Sequence, residues 1–426
     1  MFEIQSRPRV GACYAWRMTT ELRTLRAAEW DGWYGKLERA FGGTPESPEE
    51  RGLYRDLTEV DRSIGVWDGS EVVGTAGAFS FRMNVPGGAL LPAAGVTMVS
   101  VQPTHRRRGL LREMMRQQLA DVRHREEPLA VLTASEPVIY GRFGYGMATR
   151  QATLRVETKR VALTLPDGTD GVRLRIVPPA EAVADCERVY AAVAAERPGM
   201  LARQPGWERL PLLDPPADRE GAGELLCVLA EVAGEVRGYA RYAVKADWSH
   251  RGPDGTVKLR DIEALDPVVR AALWRYLLDI DLTSALVSHN RPVDEPLLHM
   301  VSDLRRCELR VRDGLFLRPV ELGAALSGRT YAAPVDVVLD VEDTFCPWNQ
   351  GRWRLSGDTK GASCERTTDA ADLALSVRDV AAAYLGDVRL SALAAAGRVR
   401  ELRPGALAEA SGAFGSDVAP WLPHGF

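Results

Sequence analysis

Between Val99 and Leu111 the chain passes from an apolar strand into Gln102-Pro103. Three consecutive arginines and a glycine follow, and then a helical pattern begins. Few folds accommodate that order. Proline at 103 stops the strand from extending. The first amide N–H groups of a helix have no partner within the helix, and the dipole there favours an anion. A pyrophosphate meets both conditions. Gly109 has no Cβ to keep the backbone away from phosphate oxygens. Arg106, Arg107 and Arg108 add charge-assisted hydrogen bonds, each about 1.5 to 3 kcal/mol. Leu110 and Leu111 open the helix that presents the amides. The segment predicts a strand–loop–helix unit of α/β type that grips a diphosphate.

The patterning around it agrees. Glu29 to Phe41 reads as an amphipathic helix carrying Trp30, Trp33, Leu37 and Phe41. Ser63–Trp67 and Glu71–Phe81 read as strands joined by Asp68-Gly69, and Ala94–Val101 as the strand that enters the loop. The helix is expected from about His105 to Arg125, and a short strand over Leu129–Ala134. Val172 to Arg310 forms a second α/β segment, with Leu225–Val232 and Val236–Val244 as a hairpin, Val257–Leu265 as a strand and Pro267–Leu278 as a helix. From about Leu315 an α+β pattern takes over. Domains are therefore expected at 18–165, 166–312 and 313–426. Residues 1–17 form a leading extension, and Met18 is an alternative start.

A chain of 426 residues with 46% hydrophobic and 26% charged residues has room for several full cores. A net charge of −4 argues against a nucleic-acid partner and allows a cationic substrate. The cysteines are scattered without a CxxC clip, which argues against a metal site and fits a reducing cytoplasm. No apolar run is long enough to span a membrane. His105 and His124 show no partner pattern and read as surface residues.

Arg106-Arg107-Arg108-Gly109-Leu110-Leu111 resembles the acetyl-CoA motif of the GNAT superfamily, Arg/Gln-x-x-Gly-x-Gly/Ala, with leucine in the final position. Three further stretches narrow the resemblance: Leu91 to Val96, the run Ser135 to Gly146 with its Tyr-Gly-Arg-Phe-Gly-Tyr-Gly, and Leu273 to Asp281. Together they resemble the Eis (enhanced intracellular survival) family of aminoglycoside-type N-acetyltransferases. The resemblance implies tandem GNAT-like domains followed by a sterol carrier protein-like domain, assembled as a homo-hexamer, a dimer of trimers. It implies acetylation of several amines on one polycationic molecule, and hence antibiotic resistance. It also implies that the strand before the loop splits from its neighbour. Val99 and Val101 then meet the coenzyme through their main chain, Ser100 between them belongs to the same coenzyme-binding stretch, and Ser135 orders the pantetheine end. Tyr140 becomes the general acid, with Tyr145 a competitor in the same run, and the α-carboxylate of Phe426 the general base. Trp30 and Phe41 match aromatic positions of the substrate cleft.

Elementary chemistry fits the acid better than the base. A phenol of pKa about 10 can protonate a thiolate whose acid has pKa about 8.5. An α-carboxyl of pKa about 3.3 to 3.7 is a poor match for an ammonium proton unless burial raises it or a water relays the proton. In the second segment Ala264-Leu265-Asp266-Pro267 stands where the arginines stand in the first. An aspartate there repels phosphate, so that segment is read as serving packing and assembly. A lipid tunnel in the last segment is a further reading. The alternatives are a protein or peptide lysine acetyltransferase and, in another class, a lipid-carrier or assembly protein with a vestigial CoA site.

Overall fold

The computed structural model describes residues 20–43, 45–250 and 252–426. The expected extension 1–17 and Met18 lie outside them. The first sheet contains β1 (Thr20–Thr24), β2 (Ile64–Asp68), β3 (Glu71–Asn84), β4 (Leu90–Val101), β5 (Leu129–Thr133) and β6 (Gly146–Met147). Helices α1 (Trp30–Ala40), α2 (Pro48–Leu57) and α3 (Leu110–His124) belong to the same unit.

The second sheet contains β7 (Arg150–Glu157) and β8 (Arg173–Val177), while the short β9 (Leu201–Ala202) pairs with β3 of the first. Helix α4 (Val183–Ala194) comes between β8 and β9. The second sheet continues with β10 (Leu226–Val232) and β11 (Glu235–Lys245). A small hairpin of β12 (Trp248–Ser249) and β13 (Gly252–Pro253) stands apart, and β14 (Gly255–Ala264) follows. After α5 (Pro267–Leu278) come β15 (Thr283–Arg291), α6 (Leu297–Met300) and β16 (Cys307–Asp313). The strand order is β16-β7-β15-β14-β11-β10-β8.

The sheets do not follow the expected boundaries. β7 falls in the expected first domain but is paired on both sides within the second sheet, to β15 and β16. In exchange β17 (Leu315–Pro319), expected to open the third domain, lies between β5 and β6 of the first sheet. β17 is buried throughout and β7 buries Ala152, Leu154 and Val156 in alternation, and neither pattern declares which sheet a strand enters. The exchange ties the two units together, since neither sheet is complete without a strand from across the division.

The third unit has α7 (Leu322–Ser327), β18 (Val335–Glu342), β19 (Gly351–Gly357), β20 (Ala362–Arg366) and β21 (Leu373–Ser376). Helix α8 (Val377–Ala383) follows, then α9 (Leu390–Ala395), β22 (Val399–Glu401) and α10 (Ala406–Phe414). Its five-stranded sheet runs β20-β19-β18-β21-β22. Side chains fill its centre. Arg329 is fully buried there, donating Nε to the Thr330 carbonyl at 2.9 Å, Nη2 to Phe414 at 3.1 Å and Nη1 to Tyr384. The rings of Tyr331, Tyr384 and Phe414 surround the guanidinium. The cation is satisfied by carbonyls and ring faces.

The Tyr-Gly-Arg-Phe-Gly-Tyr-Gly run owes its glycines to the third unit and to β17. A Cβ on Gly146 would strike the Arg378 carbonyl and the Ala382 amide of α8. Gly144 adopts φ +86°, and a Cβ there would lie 2.6 Å from Arg318 Nη1. Only glycine allows both the left-handed turn and the approach.

Candidate active site

Two irregularities in β4 build the site. The first is its pairing with β5, which is parallel at Ala93, Ala94 and Gly95 only. Among the described residues no strand lies beside that edge of β4 from Val96 to Val101, so apart from the Val101 carbonyl, which accepts from Arg106, the main-chain groups on that edge face an open slot. The second is a bulge. β4 places one extra residue between Thr97 and Ser100, opposite Ala76, and Met98 takes φ +54°. Thr75 holds the bulge by donating its hydroxyl to the Met98 carbonyl at 2.7 Å, while its oxygen lies 2.7 Å from that of Ser100. Ser100 is thus fastened to β3 by its side chain.

The arginine loop lies at the end of β4. Residues Pro103–His105 make one 3-10 turn, and α3 starts at Leu110 instead of His105, so Arg106, Arg107 and Arg108 occupy a loop and not a helix. Pro103 and the left-handed residues Arg107 (φ +63°) and Gly109 (φ +89°) prevent the helix from starting earlier. Among the described residues no side chain caps α3, as is also true of α1, α4, α6, α7, α9 and α10, whereas α2 is capped by Ser47, α5 by Asp266 and α8 by Ser376. Nothing would touch a Cβ on Gly109 within 4 Å, so the space above the amides is open. Arg106 Nε donates to the Val101 carbonyl at 3.3 Å, and Arg108 Nη2 to the Thr104 carbonyl at 2.8 Å.

His105 corrects the surface reading. It is buried, with Nε2 3.2 Å from an Asp68 oxygen and Nδ1 2.8 Å from the Thr104 hydroxyl. The imidazole thereby staples the loop to the β2–β3 turn. Asp68 is far away in sequence, so no local pattern announces the pairing. His124 is exposed, as expected.

A groove of about 830 Å³ joins these parts. Val99, Ser100, Val101, Arg106, Arg107 and Gly109 to Leu111 line it, with Ser135 and Tyr140 on the far wall. At Val99, Phe41, Ser135 and Tyr140 it meets a cavity of about 270 Å³. That cavity also holds Phe426, Tyr34, Glu46, Glu50 and Thr133. Burial, with the Glu136 carboxylate second, pushes the Tyr140 phenol up to about 12. Tyr145, the competitor, is fully buried and lines neither space.

Phe41 stands where expected, exposed at the mouth of both spaces. Trp30 does not line them. It is buried, stacks on Tyr34 at 4.4 Å and donates its indole N–H to Thr58 Oγ1 at 2.9 Å. Tyr34, four residues along α1, takes the place on the cavity wall and donates its hydroxyl to Glu46 at 2.6 Å. Burial raises the pKa of both Glu46 and Glu50, and the Tyr34 hydrogen bond opposes this at Glu46. These residues escaped the sequence reading because α2, which carries Glu50, was not foreseen. The capping signal Ser47-Pro48 with Glu49 and Glu50 was there to find it.

The tail reaches the cavity through the second unit. Trp421 is buried, donating Nε1 to Asn290 Oδ1 at 2.8 Å, while Asn290 Nδ2 donates to the Leu422 carbonyl at 3.0 Å. The Trp421 amide donates to Pro198, and the Ala419 amide to Asp294, which is ion-paired with Arg197. Arg291 lies over the Trp421 ring and pairs with buried Glu295, which accepts from Trp274 of α5 at 3.0 Å. The Leu273–Asp281 stretch thus bears on the tail. The second unit was read as packing; it also holds the tail in place. Its own helix start cannot take phosphate in the same way, because the Asp266 carboxylate already accepts from the Val269 amide at 2.9 Å. Phe426 ends against Phe81, ring centroids 5.0 Å apart, over Gly95, where a Cβ would strike the Phe81 ring and come within 3.1 Å of that of Phe426.

Comparison with known proteins agrees with this geometry. Residues 21–148 and 199–319 each match an acetyltransferase (GNAT) domain family, and residues 322–423 a sterol carrier protein domain. An N-acetyltransferase of Streptomyces avermitilis is 65% identical over 96% of this chain and 100% of its own length. The N-acetyltransferase Eis of Mycobacterium tuberculosis is 35% identical, covering 93% of this chain and 97% of its own. The chain belongs to the Eis family of GNAT N-acetyltransferases. The crystal structure of Eis1 from Mycobacterium abscessus superposes with TM-score 0.82 at 33% identity, over 96% of this chain and all of that one. The Eis-family architecture of two GNAT domains and a sterol carrier domain is the one described above, and the chain is an N-acetyltransferase.

Proposed function

We propose that the enzyme transfers acetyl from acetyl-CoA to primary amines of aminoglycoside-like polycationic molecules, at more than one position. The observation that carries this is the joining of spaces. The cavity holding Tyr140 and Phe426 opens on one side to the coenzyme groove. On the other it shares Glu50, Tyr54, Thr133 and Phe426 with a further cavity of about 580 Å³. Asp218, Asp261 and Glu263 line that further space together with Arg203 and Arg260. A continuous hollow in which carboxylates outnumber guanidinium groups suits a bulky molecule with several ammonium groups, each of which can be turned toward the acetyl donor.

The residues fit the donor. The uncapped amides of α3 and the Arg106–Arg108 loop would hold the pyrophosphate, and the unpaired edge at Val99 and Val101 would hold the pantetheine arm as an added strand. Tyr140, kept neutral by burial, would return a proton to the departing sulfur. The α-carboxylate of Phe426 would take the proton of the attacking amine, directly or through water.

The test is direct. Acetyl-CoA and a kanamycin-type aminoglycoside are incubated with the enzyme, thiol release is followed, and products are weighed by mass spectrometry. Products carrying two or more acetyl groups support the reading. Thiol release with lysine peptides and none with aminoglycosides would overturn it.

A further inference from the structure

We propose that the third domain completes the coenzyme site, its Thr344 and Phe345 walling the pocket for the 3′-phosphoadenosine end, with Arg112 and Arg142 as the ligands of the 3′-phosphate. The proposal rests on the acetyl-CoA reading above and concerns the half of the coenzyme which that reading leaves unplaced.

The groove beside β4 does not end at the arginine loop. It continues between α3, which contributes Leu111 and Arg112, and the 3-10 segment Pro137–Phe143, which contributes Ile139, Arg142 and Phe143. Thr344 and Phe345 close that end. Both lie within the sterol carrier match. The Phe345 ring is half-buried, packs edge-to-face on Phe143 with centroids 5.0 Å apart, and has the Arg116 guanidinium 6.0 Å from its centroid. An aromatic wall between guanidinium groups is the chemistry that receives a phosphorylated purine nucleoside. Among the described residues neither Arg112 nor Arg142 has a carboxylate partner.

The loop that carries Phe345 is fixed. Buried Asp343 pairs with buried Arg318 of β17 at 2.6 Å, and its other oxygen accepts from the Cys346 amide at 2.9 Å. Asn349 donates to Asp343 and to the Val320 carbonyl, each at 3.1 Å, while Trp348 Nε1 donates to Val320 at 2.8 Å. The loop is therefore bolted to the first sheet through β17. It is a standing wall of the groove and needs no movement to meet a ligand.

Binding of CoA and of 3′-dephospho-CoA to the full-length enzyme, measured by calorimetry, tests this. The unsubstituted enzyme should bind CoA at least about tenfold more tightly, as a charge-assisted contact predicts. The double variant Arg112→Ala with Arg142→Ala should lose that preference and keep its affinity for dephospho-CoA within about twofold. Phe345→Ala, or Phe345→Leu should the first not fold, should weaken both ligands by about fivefold or more. Arg106→Ala should weaken both and keep their ratio. Equal affinities for the two ligands, or an unchanged ratio in the double variant, would overturn the phosphate assignment. Unchanged affinities in both Phe345 variants would overturn the wall. Failure of the unsubstituted enzyme to bind either ligand would instead remove the acetyl-CoA reading, and this inference with it.

Discussion

At the scale of single residues the site depends on groups kept in the protonation state that suits them. Tyr140 is the clearest. Its pKa rises from 10.0 to about 12, so the folded protein favours the neutral phenol and loses it only as pH rises through that value. Tyr140→Phe should lower kcat by roughly 10² to 10⁴, with CoA affinity unchanged. Turnover of the unsubstituted enzyme should show no loss attributable to this group below about pH 10, because the neutral phenol predominates until its raised pKa is neared. A pH–rate profile of both forms checks this, and an unchanged kcat in the variant would take the phenol out of the mechanism. His424 shows the same control at the tail. Burial and then the Arg203 guanidinium push its imidazole down to about 3, so a neutral ring stacks near Trp207 with centroids 6.2 Å apart. Tyr140 is named by the family resemblance alone, since its glycine-rich run offers Tyr145 equally. His105 and Trp30 were misplaced because burial depends on what packs from elsewhere: Asp68 over one, Thr58 and Tyr34 over the other.

Most elements could be read from periodicity. α1, α3, α5, β3, β4, β11 and β14 fall near their expected spans, since each presents an apolar face at its own repeat. The meaning of two elements could not be read. β7 and β17 are ordinary strands locally, and their exchange between sheets is a fact of pairing. The exchange gives β17 its task, for Arg318 projects from it to hold Asp343. Asp343→Ala would leave a guanidinium charged and unpaired in the interior, which costs about 3 to 5 kcal/mol. Denaturant unfolding should show a loss of that size. A loss under about 1 kcal/mol would mean that the pair is solvated on the timescale of unfolding and does not anchor the loop.

Across the whole molecule, the candidate active site draws on all three units. The first gives the arginine loop and Tyr140, the third gives the segment carrying Phe426, and the second holds that segment by Asn290, Asp294 and the Trp274–Glu295–Arg291 relay. Appending a few residues after Phe426 should abolish turnover while leaving CoA affinity and thermal stability near those of the parent. The anchors at Trp421 and Ala419 lie upstream of the addition and stay intact. Full activity in the extended protein would exclude the terminal carboxylate as base.

The strand, the proline, the arginines and Gly109 sufficed to predict a strand–loop–helix unit suited to a diphosphate, because a helix start, its dipole and a missing Cβ are local properties of a short segment. The identity of the unit's helpers was settled only by tertiary structure. The open edge of β4, the staple at His105, the glycines that admit α8 and the seat of Phe426 over Gly95 arise where segments far apart in the chain come into contact. Periodicity records which face of an element is apolar, but not which distant residue will cover it.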